Sequence, residues 1–126
     1  TVAAVGEGVT HLKVGDKVMS LVRTNWVQRI RDKAQAFVRL PPEVDLAQAA
    51  MLKVNVATAH LMLTGYENLQ PGDWLIQNAA NSGVGVDLIR LARASGVRTV
   101  NIVRRAELID ELKQMGADAV VVDGPD

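Results

Sequence analysis

Two short stretches hold residue types at spacings that can handle an anion. The first is "NAANSGVG", residues 78–85, set between the apolar run "WLIQ" and the helical pattern "VGVDLIRLARA". A helix beginning here exposes unpaired amides and partial positive charge, both of which favour a phosphate. A dinucleotide turn needs small residues at three places: the tight bend, the approach of backbone to phosphate, and the contact of helix with strand. Aligned on G-x-G-x-x-G, the stretch supplies Ala80, Ser82 and Gly85, with Gly83 as an extra permissive point and Val84 opening the helix. Ala80 and Ser82 carry Cβ atoms, which restrict φ. The Asn81 and Ser82 side chains can donate directly to phosphate. Two readings stand at this level: a nucleotide turn with small side chains in place of glycine, or a plain corner capped by Asn81 or Ser82.

The second stretch is "NIVRRAEL", residues 101–108. About 20 residues past a glycine turn, an NAD-binding unit carries an acid for the ribose hydroxyls, whereas arginine there suits a 2′-phosphate. Arg104 and Arg105 occupy that place. A guanidinium holds phosphate bidentately where a carboxylate would repel it. In isolation the pair also reads as a solvated strand end. Taken with the corner, it favours NADP(H).

The elements that must position these residues are legible from period and punctuation. "DWLIQN" reads as a buried strand. The next helix puts Val84, Leu88, Leu91 and Ala92 on one face and stops at Gly96, a left-handed cap position. "RTVNIV" reads as a second strand. A helix with Leu108, Ile109, Leu112 and Met115 inward then ends at Gly116, and "DAVVVD" is a third strand. Strand, helix, strand, helix, strand with short links predicts parallel pairing, the βαβαβ half of a doubly wound Rossmann-type α/β fold. In that order "WLIQN" is central, and its far edge is left with nothing here to pair it, so an open apolar edge is expected. Upstream, "DLAQAAMLKVNVATAHLMLTG" predicts two helical pieces, with Val54-Asn55-Val56 weakening the middle. The first third is β-rich: "TVAAVG", "KVGDKVMSLV" around a Gly15-Asp16 turn, "NWVQRI" and "QAFVRL", stopped by Pro41-Pro42.

Composition narrows the function classes. The chain has 126 residues, with 14 Lys plus Arg against 14 Asp plus Glu. That balance gives no non-specific attraction to nucleic acid or to an anionic membrane surface. With no cysteine and two distant histidines, His11 and His60, no metal site of ordinary ligand spacing is expected. The lack of cysteine allows a reducing compartment, cytoplasm or mitochondrial matrix. No apolar run is expected to reach membrane-span length and no signal peptide is visible. The chain opens at Thr1 inside a strand-like run and reads as a fragment. Trp26 and Trp74 are expected in core or rim, "RIRDKAQ" as a solvated face.

In order and spacing, "VGEGVTHLKVGDKV", "LPPEVDLAQAAML" and "LQPGDWLIQNAANSGVG" resemble the medium-chain dehydrogenase/reductase superfamily: the end of its GroES-like catalytic domain, the lead into its cofactor domain, and its first nucleotide-binding strand and turn. The resemblance implies a partial GroES-like domain over residues 1–45 and the first half of an NADP-binding Rossmann domain over 46–126. "NAANSGVG" is closer to the zinc-free 2-enoyl thioester reductases than to quinone reductases, and "VNVATAHLML" resembles their Asn-Pro-x-Thr-Ala segment. Such enzymes use NADPH to reduce the C2–C3 double bond of trans-2-enoyl-CoA or acyl-carrier thioesters in fatty acid synthesis. By that resemblance Asn55, Asn81, Ser82, Gly83, Val84, Gly85, Arg104 and Arg105 contact the cofactor. Val56 replaces the family's proline, Thr24-Asn25-Trp26 its Gly-Thr-Trp, and Arg104-Arg105-Ala106 its Arg-Asp-Arg. The family's catalytic tyrosine belongs upstream of Thr1, and Tyr66 lies elsewhere, so the isolated chain is expected to be a poor catalyst. A quinone or carbonyl reductase of the same superfamily and a non-catalytic nucleotide-binding module are the alternatives. The superfamily often forms homodimers through later strands of the sheet.

Overall fold

The alternation of short apolar strands and amphipathic helices in the second half produces a parallel sheet. In the computed structural model, which describes residues 1–124, the chain divides into two compact units, Thr1–Lys53 and Val54–Asp126.

The first unit holds an antiparallel pair, β1 (Val18–Ser20) and β2 (Phe37–Arg39), in the register Val18↔Arg39. The Gly15-Asp16 turn behaves as expected: Gly15 has φ 91°, where a Cβ is disfavoured, and the Asp16 carboxylate accepts from the Lys13 amide at 3.0 Å. Asp16 also pairs with Arg39 at 3.3 Å. "TVAAVG" is not a strand. It is tied to the turn by Val2 N to Asp16 O and Gly15 N to Val2 O, both 2.9 Å. "NWVQRI" is not a strand either: Trp26, Val27 and Ile30 are exposed, so β propensity there finds nothing to pack against.

α1 (Leu46–Met51) starts at the Asp45 cap, whose carboxylate accepts from Ala47 N. The two helical pieces expected from sequence are joined by a π turn, Leu52–Val56, into α2 (Ala57–Thr64). Val54-Asn55-Val56 thus widens the helix without ending it, because no proline or glycine interrupts the backbone donors. This corrects the expectation about apolar runs: Leu46–Thr64, 19 residues at mean hydropathy 1.2, reaches membrane-span length by length and composition alone. Gln48, Lys53, Asn55 and His60 punctuate it, polar groups that are costly in hydrocarbon.

In the second unit, β3 (Trp74–Gln77), β4 (Arg98–Val103) and β5 (Ala119–Val122) form a parallel sheet in that order. The register sets Gln77 opposite Asn101 and Val103 opposite Val122. α3 (Gly83–Ala94) and α4 (Ile109–Met115, entered through a 3₁₀ turn at Ala106–Leu108) link the strands. α3 has two buried faces. Leu88 and Ala92 pack with Ala59 and Leu63 of α2, as the sequence stripe predicts; Ile89 packs with Val103, Leu108 and Leu112. Gly96 (φ 73°) follows α3 and Gly116 (φ 112°) caps α4, both left-handed as expected. Among the described residues β3 pairs only with β4, and the strand expected to be buried is covered on one face alone: Ile76, on the face opposite Leu75 and Gln77, is 68% exposed.

Candidate nucleotide site

A parallel sheet brings the carboxyl ends of its strands to one edge, and both stretches singled out in the sequence lie there. β3 ends at Gln77, and the chain turns through Asn78, Ala79, Ala80 and Asn81 into α3. β4 ends at Val103, immediately before Arg104 and Arg105. The backbone bond Ala80 N to Ile102 O (3.2 Å) fastens the turn to the end of β4, so Ser82 and Arg104 belong to the same rim.

The bend is made one residue earlier than the glycine pattern suggests. Ala79 carries the left-handed φ of 47°, whereas Ala80 is fully buried in the core with Ile89 and Val103. An L-residue there is strained by about 1–2 kcal/mol. Gly85 has the packing role expected of the third glycine. A Cβ at that position would meet Ala80 O at 2.6 Å and the Ala80 carbonyl carbon at 2.8 Å, so the helix lies directly on the turn's backbone.

Ser82 caps α3: its Oγ accepts from Gly85 N at 3.1 Å. The cap and phosphate readings are compatible, because a hydroxyl that accepts through a lone pair keeps its own proton to donate. With the Gly85 amide occupied and Val86 N bonded to Ser82 O at 2.9 Å, the Gly83 and Val84 amides have no partner among the described residues. Such orphan donors are where an anion docks. The Asn81 side chain is exposed beside them.

A groove of about 530 Å³ runs along this edge, lined by Met62, Ile76, Gln77, Asn78, Ala79, Ser82, Val84, Gly85 and Ile102. Of the residues expected to bind cofactor, Ser82, Val84 and Gly85 line it. Gly83 and Asn81 are their chain neighbours at its rim. Asn55 sits in the π turn, half-buried, and is not part of the lining. The two arginines differ. Arg105 Nε lies 3.5 Å from Glu107 Oε1, with both side chains largely exposed, while Arg104 has no hydrogen bond or ion pair among the described residues. Neither arginine lines the groove; of the two, Arg104 is the one without an ion-pair partner among the described residues.

Gln77 was not legible as a site residue, although one signal existed: a glutamine at the inward phase of "WLIQ", where Leu75 also points in. Trp74, at the amino end of β3 and so away from this rim, is half-exposed under the Arg98 guanidinium at 5.5 Å. Trp26, expected in core or rim, is fully exposed. His11 is exposed with Nε2 3.2 Å from Ala34 O, His60 is exposed, and Tyr66 is 83% exposed. Among the described residues no three His, Cys, Asp or Glu side chains gather to hold a metal.

No protein-family model matches the chain. The human mitochondrial enoyl-[acyl-carrier-protein] reductase is 43% identical over 128 residues, covering 97% of this chain and 34% of that protein. The rat protein of the same name is 41% identical over the same shares. The chain thus spans about a third of the length of these relatives. Among solved structures, a mycobacterial protein complexed with NADPH superposes with TM-score 0.85 at 32% identity, over all of this chain and 40% of the other. The Candida tropicalis mitochondrial 2-enoyl thioester reductase heterodimer gives 0.83 at 29% identity, over 95% and 38%. An Escherichia coli quinone oxidoreductase complexed with NADPH gives 0.77 at 25% identity, over 94% and 37%.

Proposed function

The chain belongs to the enoyl thioester reductases of the medium-chain dehydrogenase/reductase superfamily, and from that premise we propose that it forms the adenosine- and diphosphate-binding part of an NADPH-dependent reductase of trans-2-enoyl thioesters. The observation that carries this reading is the Ala80 N to Ile102 O bond. It holds the turn bearing the unpartnered Gly83 and Val84 amides against β4, the strand that ends just before Arg104.

Each residue then has a defined task. The Gly83 and Val84 amides and the Ser82 hydroxyl take the diphosphate oxygens, where charge-assisted donors are strongest. Gly85, lacking Cβ, lets the helix approach the turn closely enough to aim them. Arg104 takes the 2′-phosphate, and Glu107 leaves Arg105 a secondary contact. Asn81 at the rim and Asn55 on the π turn are proposed as further cofactor contacts. NADPH, when bound, supplies the hydride for the C2–C3 double bond. This chain's contribution is to hold and orient that reductant. The units proposed for this work are a catalytic-domain segment over 1–45 and the Rossmann half over 46–126. The relatives are mitochondrial by name, and a mitochondrial location is proposed with them. Dimeric assembly is proposed for the full-length protein, the Candida relative being a heterodimer.

The test is substrate and cofactor profiling of the full-length polypeptide. NADPH oxidation with crotonyl-CoA, at least tenfold faster than with NADH, is expected. Activity on quinones with none on crotonyl-CoA would move the assignment to the quinone reductases; binding of NADPH with neither activity would leave a nucleotide-binding module.

A further inference from the structure

A row of buried amides runs beneath α3 across all three strands. Gln77 Nε2 donates to Gly85 O at 3.0 Å and to Asn101 Oδ1 at 2.8 Å. Asn101 Nδ2 donates to Thr99 Oγ1 at 2.8 Å and to Ala119 O at 3.1 Å. Asn101 is fully buried, Thr99 is 1% exposed and Gln77 8%. Both ends of the row are backbone carbonyls, which only accept, so one polarity satisfies it. Gln77 must present NH₂ to Gly85 O, and Asn101 must present NH₂ to Ala119 O and oxygen to Gln77. The amide donors of both side chains are therefore fully used.

The row ends at the residue that sets the aim of the α3 amides. Gly85 is held at three points: its N–H by Ser82 Oγ, its Cα against the Ala80 backbone, and its C=O by Gln77. The first two belong to the turn itself. Gln77 is the side chain that ties the helix's first turn to the sheet, and the unpartnered Gly83 and Val84 amides precede the tied carbonyl directly. Rotating that turn about the helix axis swings both amides away from the groove, and the Gln77 bond opposes the rotation.

We infer that Gln77 is a positioning residue for diphosphate binding: through Gly85 O it fixes the rotation of the first turn of α3, and Asn101 holds Gln77 in the orientation that does so. The inference rests on the NADPH reading above.

Stability and positioning separate in a pair of variants of the full-length polypeptide. Gln77→Leu alone orphans a buried amide oxygen on Asn101 and should lower the thermal midpoint. Gln77→Leu with Asn101→Leu removes the orphaned oxygen along with its amide and should recover part of the lost stability, the remainder reflecting the buried Thr99 hydroxyl that loses the Asn101 donor. Binding is read with NADPH and with 2′-AMP, which lacks the diphosphate. In the double variant the midpoint should return toward wild type while NADPH binds at least about tenfold more weakly, the worth of one well-placed hydrogen bond, and 2′-AMP binds as before. Gln77→Met, which keeps the side chain's length and removes its donors, should lower the midpoint as Gln77→Leu does and still separate NADPH from 2′-AMP binding in the same way, whether or not the double variant folds. NADPH affinity at the wild-type value in these variants would make the row purely structural and overturn the inference. Equal weakening of NADPH and 2′-AMP would also overturn it, since the whole rim would then have moved. A wild-type protein that binds no NADPH refutes the underlying cofactor reading instead.

Discussion

Gly85→Ala is the sharpest perturbation of the corner. The added Cβ would lie 2.6 Å from Ala80 O, 2.8 Å from its carbonyl carbon and 2.9 Å from its Cα, all backbone atoms that cannot rotate away. Relief to the 3.4 Å of ordinary contact requires the first turn of α3 to lift by about 0.8 Å. A lift of that size stretches the 3.0 Å Gln77–Gly85 bond beyond hydrogen-bond range and loosens the Ser82 cap. Overpacking of this kind costs about 1–3 kcal/mol, and the buried Gln77 amide that loses its acceptor costs about 1–3 kcal/mol more, while the Gly85 carbonyl keeps its helical donor. The helix preference of alanine over glycine returns at most about 1 kcal/mol. A net loss of about 3 kcal/mol follows, or about 4 °C in thermal midpoint for a polypeptide of the relatives' length. The Gly83 and Val84 amides move with the turn, so NADPH binding should weaken at least about tenfold. Calorimetry and fluorescence titration of the full-length protein measure both, with Gly6→Ala as control: its Cβ would meet nothing within 4 Å. Wild-type stability and NADPH affinity in Gly85→Ala would refute the close approach of helix and turn, and with it the argument for the site.

Arg104→Ala should weaken NADPH by about 10–150-fold, the worth of a charge-assisted bond, while leaving NADH nearly unchanged; Arg105→Ala, already paired with Glu107, should cost several-fold less in the same titration. Ala79→Gly relieves a left-handed φ and should be neutral to about 1 kcal/mol stabilising in urea denaturation, whereas a β-branched valine there should destabilise by more than about 1 kcal/mol. Val56→Pro removes a backbone donor from the π turn and should cost about 3 kcal/mol, with amides of Leu52–Val56 losing hydrogen-exchange protection.

The parallel unit was legible because each of its parts carries its own signal. The stripe on α3, the glycines at 96 and 116 and the apolar strands all act locally, and the folded chain keeps them. The corner's place was legible for the same reason, but its details were not. Ala79 bends in place of Ala80 because the core claims Ala80, a tertiary contact no window of sequence displays. The π turn escaped because weakened periodicity at Val54-Asn55-Val56 signals a break and a bulge alike. The first third misled in the opposite direction: β propensity in "NWVQRI" needs a pleated neighbour, and none is at hand. Gln77 shows the limit most clearly. A polar residue on an inward phase says only that a partner must exist, and that partner lies on another strand.

The buried amides also bear on how the chain finds its own alignment while folding. Sliding β3 along β4 by two residues would keep every side chain on its proper face, so hydrophobicity alone would tolerate the error. Gln77 would then meet Thr99 or Val103 in place of Asn101. The first leaves Asn101 facing a strand position with no amide, and the second strands a glutamine against a methyl group, each a penalty of about 1–3 kcal/mol in a dry interior. One correctly matched amide pair thus serves as a proofreading key for strand alignment, in a sheet whose aliphatic residues are too interchangeable to check it themselves.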